Sequence, residues 1–227
     1  MSLLRNLCRI LVGIVFIYSG FVKGIDPLGS AYKFTEYFNA FGMEWMSFSS
    51  LFFSVVLSVA EFIIGVALFL NITIPLASLG ALIFMLFFTP LTLILAITDP
   101  VSDCGCFGDA WVLDHWESFG KNVVLLLFSI VIFLQRKRFH PVLSKEKQLI
   151  LLILIGLGMF SLSVYCYKYL PVLDFRPYAV GTNIPENMRI PEGEEPDVYE
   201  VSLKYKNLET DEIQIFTEEN YPWQDTL

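Results

Sequence analysis

The chain has 227 residues, of which 55% are hydrophobic and 17% charged, with a mean hydropathy of +0.61. That balance excludes an ordinary soluble domain and points to the bilayer. The net charge of −8 is local: from Leu170 onward thirteen Asp/Glu stand against four Lys/Arg, while the first 169 residues carry ten acids and eleven bases. No basic patch suggests nucleic acid.

A first helix is expected from about Leu3 to Phe21, with Arg5 and Arg9 able to snorkel to the interface. The following Tyr18-Ser19-Gly20-Phe21-Val22-Lys23 offers no small-x-small cleavage site, so the segment reads as a retained helix rather than a signal peptide. Gly24 and Pro27 predict a non-spanning break over Phe21 to Pro27. Ala31, Phe34, Phe38 and Phe41 then recur at helical spacing, with Lys33, Glu36 and Asn39 elsewhere around the turn. This predicts a short amphipathic helix on the membrane surface or capping the bundle.

A second span is expected over Ser47 to Leu70, with Trp45 at its rim. The tight turn Asn71 to Pro75 leads into a third span, Leu76 to Ile97, in which Pro90 predicts a kink. A polar loop fills Thr98 to Glu117, with Trp111 and Trp116 at interface positions. A fourth span, Phe119 to Leu134, precedes the densest basic cluster of the chain, from Arg136 to Lys147. The fifth span covers Leu149 to Tyr169. Beyond it the chain is polar and proline-rich to Pro196. Tyr199, Val201, Leu203 and Tyr205 then alternate with polar residues, as do Ile213 and Ile215, which reads as a β-hairpin.

The fold class expected is an all-α polytopic membrane protein. A four-helix bundle over residues 1–135 is followed by a basic loop (136–148), a fifth transmembrane helix (149–169) and a small, mostly β or irregular acidic tail (170–227). Both basic clusters fall on one side by helix parity. They predict a cytoplasmic N-terminus and place the cysteine loop and the tail on the outer side, where disulfides form and exchange.

The sharpest chemical signal lies in that loop, Ser102-Asp103-Cys104-Gly105-Cys106-Phe107-Gly108-Asp109. Two thiols one glycine apart can close on each other only if the backbone turns sharply, which glycine permits. A ring so small is expected to be strained and more readily reduced than a structural disulfide. Redox exchange is the leading reading; a static clip is the plain one. A metal site completed by Asp103, Asp109 and His115 is the third, without a second Cys or His pair to support it. The acids Asp99, Asp103, Asp109, Asp114 and Glu117 should raise the thiol pKa values unless Lys23 or Lys121 folds over the pair. Cys166, near the outer end of the fifth helix, reads as a packed cysteine, and Cys8 falls near the opposite face. Glu61 is the one acid well inside a span, so a buried partner is expected; Lys23 is a candidate. Proton handling and a structural hydrogen bond are equally open to it.

Phe16-Ile17-Tyr18-Ser19-Gly20-Phe21-Val22-Lys23 with Pro27, then Ala60-Glu61-Phe62-Ile63-Ile64-Gly65, then Asp103-Cys104-Gly105-Cys106-Phe107-Gly108 together resemble the DoxX/MauE family of bacterial membrane proteins. The likeness is closest to the MauE-type branch, with its Cys-Gly-Cys-Phe-Gly loop, and covers about residues 1–135. It implies a four-helix bundle similar in outline to quinone-linked disulfide-forming proteins, and a part in the disulfide maturation of exported proteins. Cys104 and Cys106 would then be the redox pair, supported by Gly105, Phe107, Gly108 and Asp109, with Glu61 and Lys23 at the family's polar positions. That outline makes a quinone the cofactor to consider, although those enzymes relay electrons through two cysteine pairs and one is visible here. The fifth helix and tail resemble the longer form of Bacteroidetes-like bacteria, in which a thioredoxin-like region can come next. The expected function is therefore an inner-membrane thiol-disulfide redox protein serving a periplasmic thioredoxin-like partner or appended domain. Its rival is a non-catalytic scaffold whose tail recruits an envelope partner. Small-molecule or proton passage through Glu61 ranks third.

Overall fold

The computed structural model describes residues 2–101, 103–141, 143–176, 179, 181–187, 203–206 and 213–217. Among the described residues, five helices are long and apolar enough to cross a membrane, and the protein is an all-α polytopic membrane protein. Two compact units are distinguished, Met1–Val180 and Gly181–Leu227.

The first unit opens with α1, Ser2–Ile25. It ends because Asp26 turns its carboxylate onto the backbone N–H of Gly29, 3.0 Å away, and Pro27 starts the next helix. A proline has no N–H to lose at that position. Helix α2, Pro27–Ala40, comes at once. The expected non-spanning break from Phe21 therefore shrinks to the single cap residue. Gly24 is tolerated inside α1, where its bare backbone accommodates Met159 and Ser163 of the later helix α6, Lys145–Lys168.

A 3₁₀ segment, Glu44–Ser49, leads into α3, Ser50–Phe69. Helix α2 is pinned to α3 by Ser54, which donates to the carbonyl of Pro27 at 2.8 Å, and by Thr35, which bonds Ser50 at 2.9 Å. Phe34, Phe38 and Phe53 cluster beside these bonds, with Phe38 edge-on to Phe53 at 6.0 Å. Helices α1 and α3 approach so closely that a Cβ on Gly20 would lie 2.6 Å from the Phe62 nitrogen. One on Gly65 would lie 2.5 Å from the Ile17 nitrogen. Small residues permit such backbone contact, the main source of helix association within lipid.

Helix α4, Ile74–Thr98, carries Pro90 internally, and α5 spans His115–Leu134. Beside Pro90 the two are tied by Asn122, which donates to Thr92 Oγ1 at 3.2 Å and to the Phe88 carbonyl at 3.4 Å. Such interhelical bonds contribute about 0.6 kcal/mol each in a membrane setting. The start of α5 is fixed by a reciprocal capping box between Asp114 and Glu117, a helix-start signal. The helix consequently begins before the expected Phe119.

The core runs through Val12 and Phe16 of α1, Leu68 of α3, Ala77, Ala81 and Met85 of α4, and Leu125 and Ile132 of α5. Outward-facing Phe52, Leu76, Ile83, Phe87, Leu127 and Leu134 are exposed, as hydrocarbon-facing positions require. Arg9 donates to the Leu68 and Phe69 carbonyls at the end of α3, and Arg5 lies over the Phe139 ring at 4.8 Å. Asn71 bonds the His140 carbonyl at 2.9 Å. The arginine-bearing start of α1, the α3–α4 turn and the α5–α6 connection thus share one end of the bundle.

In the second unit, Ile184–Asn187 forms one helical turn. Strands β1, Leu203–Lys206, and β2, Ile213–Phe216, pair antiparallel with Leu203 opposite Phe216. Tyr199 and Val201, expected in the first strand, lie outside the described residues.

Candidate functional site

The cysteine loop leaves α4 at the end opposite the arginines and folds back over the bundle. Cys104 and Cys106 are joined as a disulfide, their Cα atoms 5.4 Å apart. Between them Gly105 sits at φ +60°, in the left-handed region that a side chain rarely adopts. The Asp103 carboxylate accepts the Gly105 N–H at 2.7 Å, and the Gly108 N–H returns to the Gly105 carbonyl at 3.2 Å. The turn is thereby closed by its own backbone.

Two hydroxyls from the bundle hold this turn. Tyr37 of α2 donates to the Cys104 carbonyl, and Ser19 of α1 donates to the Cys106 carbonyl at 2.7 Å. Burial, then the charges of Asp103 and Glu36, push the Tyr37 phenol up. It therefore remains a donor well past neutral pH. Phe107 is buried, edge-on to Tyr18 at 5.5 Å and stacked on Trp111 at 6.0 Å. Cys104 is buried, whereas Cys106 is partly exposed.

Within the negative field expected around the thiols, the charge of Asp103 is compensated by a lysine. Lys33 of α2 reaches Asp103 at 2.8 Å and Glu36 at 3.1 Å. Burial alone would lower its pKa, but these two partners outweigh burial and raise it. Asp99 lies 3.0 Å from His115 Nε2, while Asp114 and Glu117 are engaged in the helix cap. Asp109 remains exposed in the 3₁₀ turn Gly108–Ala110. Its carboxyl is pushed up by partial burial, then by the neighbouring charges of Asp26 and Asp103.

The cation beside the pair is Lys33, which the sequence placed only on a polar helix face. Lys33 and Tyr37 stand four residues apart and so share one face of α2. That spacing was the available signal. His115 Nε2 also lies 2.9 Å from the Val101 carbonyl oxygen, which can only accept its N–H. Among the described residues no group of three or more His, Cys, Asp or Glu is arranged to hold a metal ion.

Glu61 of α3 finds its partner in Lys23 on the last turn of α1, the two forming an ion pair with side chains only 9% and 18% exposed. The continuation of α1 past Gly20 carries Lys23 into the bundle rather than leaving it toward the surface. Both residues line a cavity of about 540 Å³ that also touches Cys104, Cys106, Phe107 and Lys121. The Lys121 ammonium lies over the Phe107 ring at 4.2 Å. Cys166 is buried in α6 and Cys8 in α1, both as free thiols.

The site therefore joins a short disulfide turn, a buried lysine–glutamate pair and an apolar space within one bundle. No curated protein and no solved structure matches the chain. The family profile described as "Methylamine utilisation protein MauE" matches residues 1–135, which span the first four membrane helices together with the Cys-Gly-Cys-Phe-Gly loop. The chain belongs to the MauE family.

Proposed function

We propose that this protein is a thiol-disulfide redox protein of the bacterial inner membrane, with its N-terminus cytoplasmic and its cysteine loop and C-terminus periplasmic. Cys104 and Cys106 exchange with a periplasmic thioredoxin-like protein or appended domain and so support the maturation of exported proteins. The observation that carries this reading is the Cys104–Cys106 disulfide in a turn held by Ser19 and Tyr37, with Cys106 partly exposed. Gly105 permits the turn, Phe107 and Gly108 seat it, and Lys33 offsets the Asp103 charge beside it. Asp109 marks its solvent side, while Lys23 and Glu61 form the charged floor beneath.

In exchange, a partner thiolate attacks one sulfur, the Cys104–Cys106 bond breaks and a mixed disulfide forms. The partner's second thiol then displaces the pair. Two electrons and two protons pass to Cys104 and Cys106, and the partner leaves oxidised. The reverse sequence oxidises the pair. The family description speaks of methylamine utilisation.

The test is the reduction potential of the pair in detergent-solubilised protein, read by thiol alkylation and intact mass. A reversible potential of roughly −120 to −270 mV is expected, with exchange abolished by Cys104→Ser and by Cys106→Ser. A pair that stays oxidised below about −300 mV would be a structural clip. The recruiting scaffold would then replace the redox reading.

A further inference from the structure

The end of the bundle opposite the cysteine loop carries charge that the fold does not answer. Arg5 and Arg9 stand four residues apart on α1, a spacing at which like charges repel. Both guanidiniums converge on one ring, that of Phe139, at 4.8 and 5.9 Å. The α5–α6 connection that supplies this ring carries five lysines and arginines between Arg136 and Lys147, against the single acid Glu146. Among the described residues neither Arg5 nor Arg9 is paired with a carboxylate.

The two arginines differ in what holds them. Arg9 directs one Nη to the Leu68 and Phe69 carbonyls and so ties α1 to the end of α3. Arg5 rests on the Phe139 ring. The Nε atoms of both are buried without an acceptor among the described residues. A buried donor left unmatched is costly, and more so when it is charged. Two guanidinium forks therefore present unmatched donors between α1, the α3–α4 turn and the α5–α6 connection.

We infer that Arg5 and Arg9 hold the phosphate of an anionic phospholipid headgroup. A planar guanidinium matches a phosphate with two parallel hydrogen bonds, and basic pockets between membrane helices receive anionic headgroups. Arg5 lies near the start of a membrane-crossing helix, the level at which headgroups stand. Its sequence neighbours Leu3 and Leu4 are exposed, as a lipid-facing surface requires. Both observations favour a lipid over a soluble phosphate ester. The bound phosphate links α1 to the α5–α6 connection, and Arg9 carries that link to α3, so the lipid should stabilise the bundle. The site lies at the other end of the bundle from the disulfide and does not rest on the thiol-disulfide reading.

The test uses the full chain, delipidated in dodecyl maltoside, with dioleoyl-phosphatidylglycerol as probe. Native mass spectrometry counts the lipid retained, and a thermal melt reads the stabilisation. Saturable binding of a single phosphatidylglycerol is expected, with a raised melting temperature. The zwitterionic dioleoyl-phosphatidylcholine should bind more weakly. Arg5→Gln should weaken phosphatidylglycerol binding about tenfold or more, as loss of a charge-assisted hydrogen bond implies. Its lipid-free melting temperature and its thiol exchange should match the wild type. Arg5→Lys, which keeps the charge but loses the fork, should fall between the two. Lys137→Gln/Lys145→Gln, which removes more charge from the same end, should bind as the wild type does. Equal binding of the two lipids, or unchanged binding by Arg5→Gln, would overturn the site. Equal weakening by the double lysine variant would reduce it to diffuse surface charge and overturn it too. Displacement of the lipid by an equal concentration of glycerol 3-phosphate would assign the arginines to a soluble phosphate ester and overturn the lipid.

Discussion

Lys23 and Glu61 show how sharply the bilayer constrains a single residue. Each alone would be an unpaired charge within the bundle, and together they neutralise one another across the α1–α3 contact. Removing one partner should cost more than removing both, because the orphaned charge keeps its desolvation penalty. Lys23→Met is expected to destabilise the detergent-solubilised protein by about 3 kcal/mol, with Lys23→Met/Glu61→Leu recovering most of the loss. Thermal unfolding of the two variants checks this; equal destabilisation would mean that the pair is not a desolvated unit. The residue types of this site were legible: closely spaced thiols, an acid in an apolar run, and a lysine within reach of it. Their partners were not. Ser19, Tyr37 and Lys33 stand far from the cysteines along the chain, and only tertiary folding brings their hydrogen bonds onto the loop. Helical spacing puts Lys33 and Tyr37 on one face of α2 but does not say that this face meets the loop.

The five spans were legible because length and apolarity decide them. Their ends were less so. Gly24 and Pro27 suggest a broad break, but within a bundle a glycine can serve packing, and the proline sits where a helix can begin. The early start of α5 is written in Asp114 and Glu117, which form a capping box as well as adding charge to the loop. What no pattern announced was the closeness of α1 and α3. Gly65→Ala places a methyl group where only 2.5 Å separates it from the Ile17 nitrogen, so the backbones must part. A loss of about 1–3 kcal/mol is expected, typical of overpacking. The same separation should pull Lys23 from Glu61. Unfolding in a graded mixed-detergent series reads the stability, and an unchanged midpoint would show that this crossing is not tight.

At the scale of the molecule, charge and core are distributed separately. The apolar core, the disulfide turn and the cavity all belong to the unit Met1–Val180, whereas the excess acidity lies beyond Leu170. A unit that contains its own core should fold without the residues C-terminal to it. A chain ending at Val180 is therefore expected to insert, to form the Cys104–Cys106 disulfide, and to unfold within a few degrees of the full protein. The segment from Pro171 to Arg176 remains in that shortened chain, where it lines a small recess with Gly105, Gly108 and Asp109. Alkylation with intact mass reports the disulfide, and a thermal melt reports the fold. Exchange with a thioredoxin-like protein then separates the two functions assigned to the chain. If exchange persists, the chemistry resides in the bundle and the acidic tail adds selectivity, which salt should weaken by screening. If exchange disappears while the pair keeps its potential, the tail is the recruiting element, and the cysteine pair acts only on what that tail delivers.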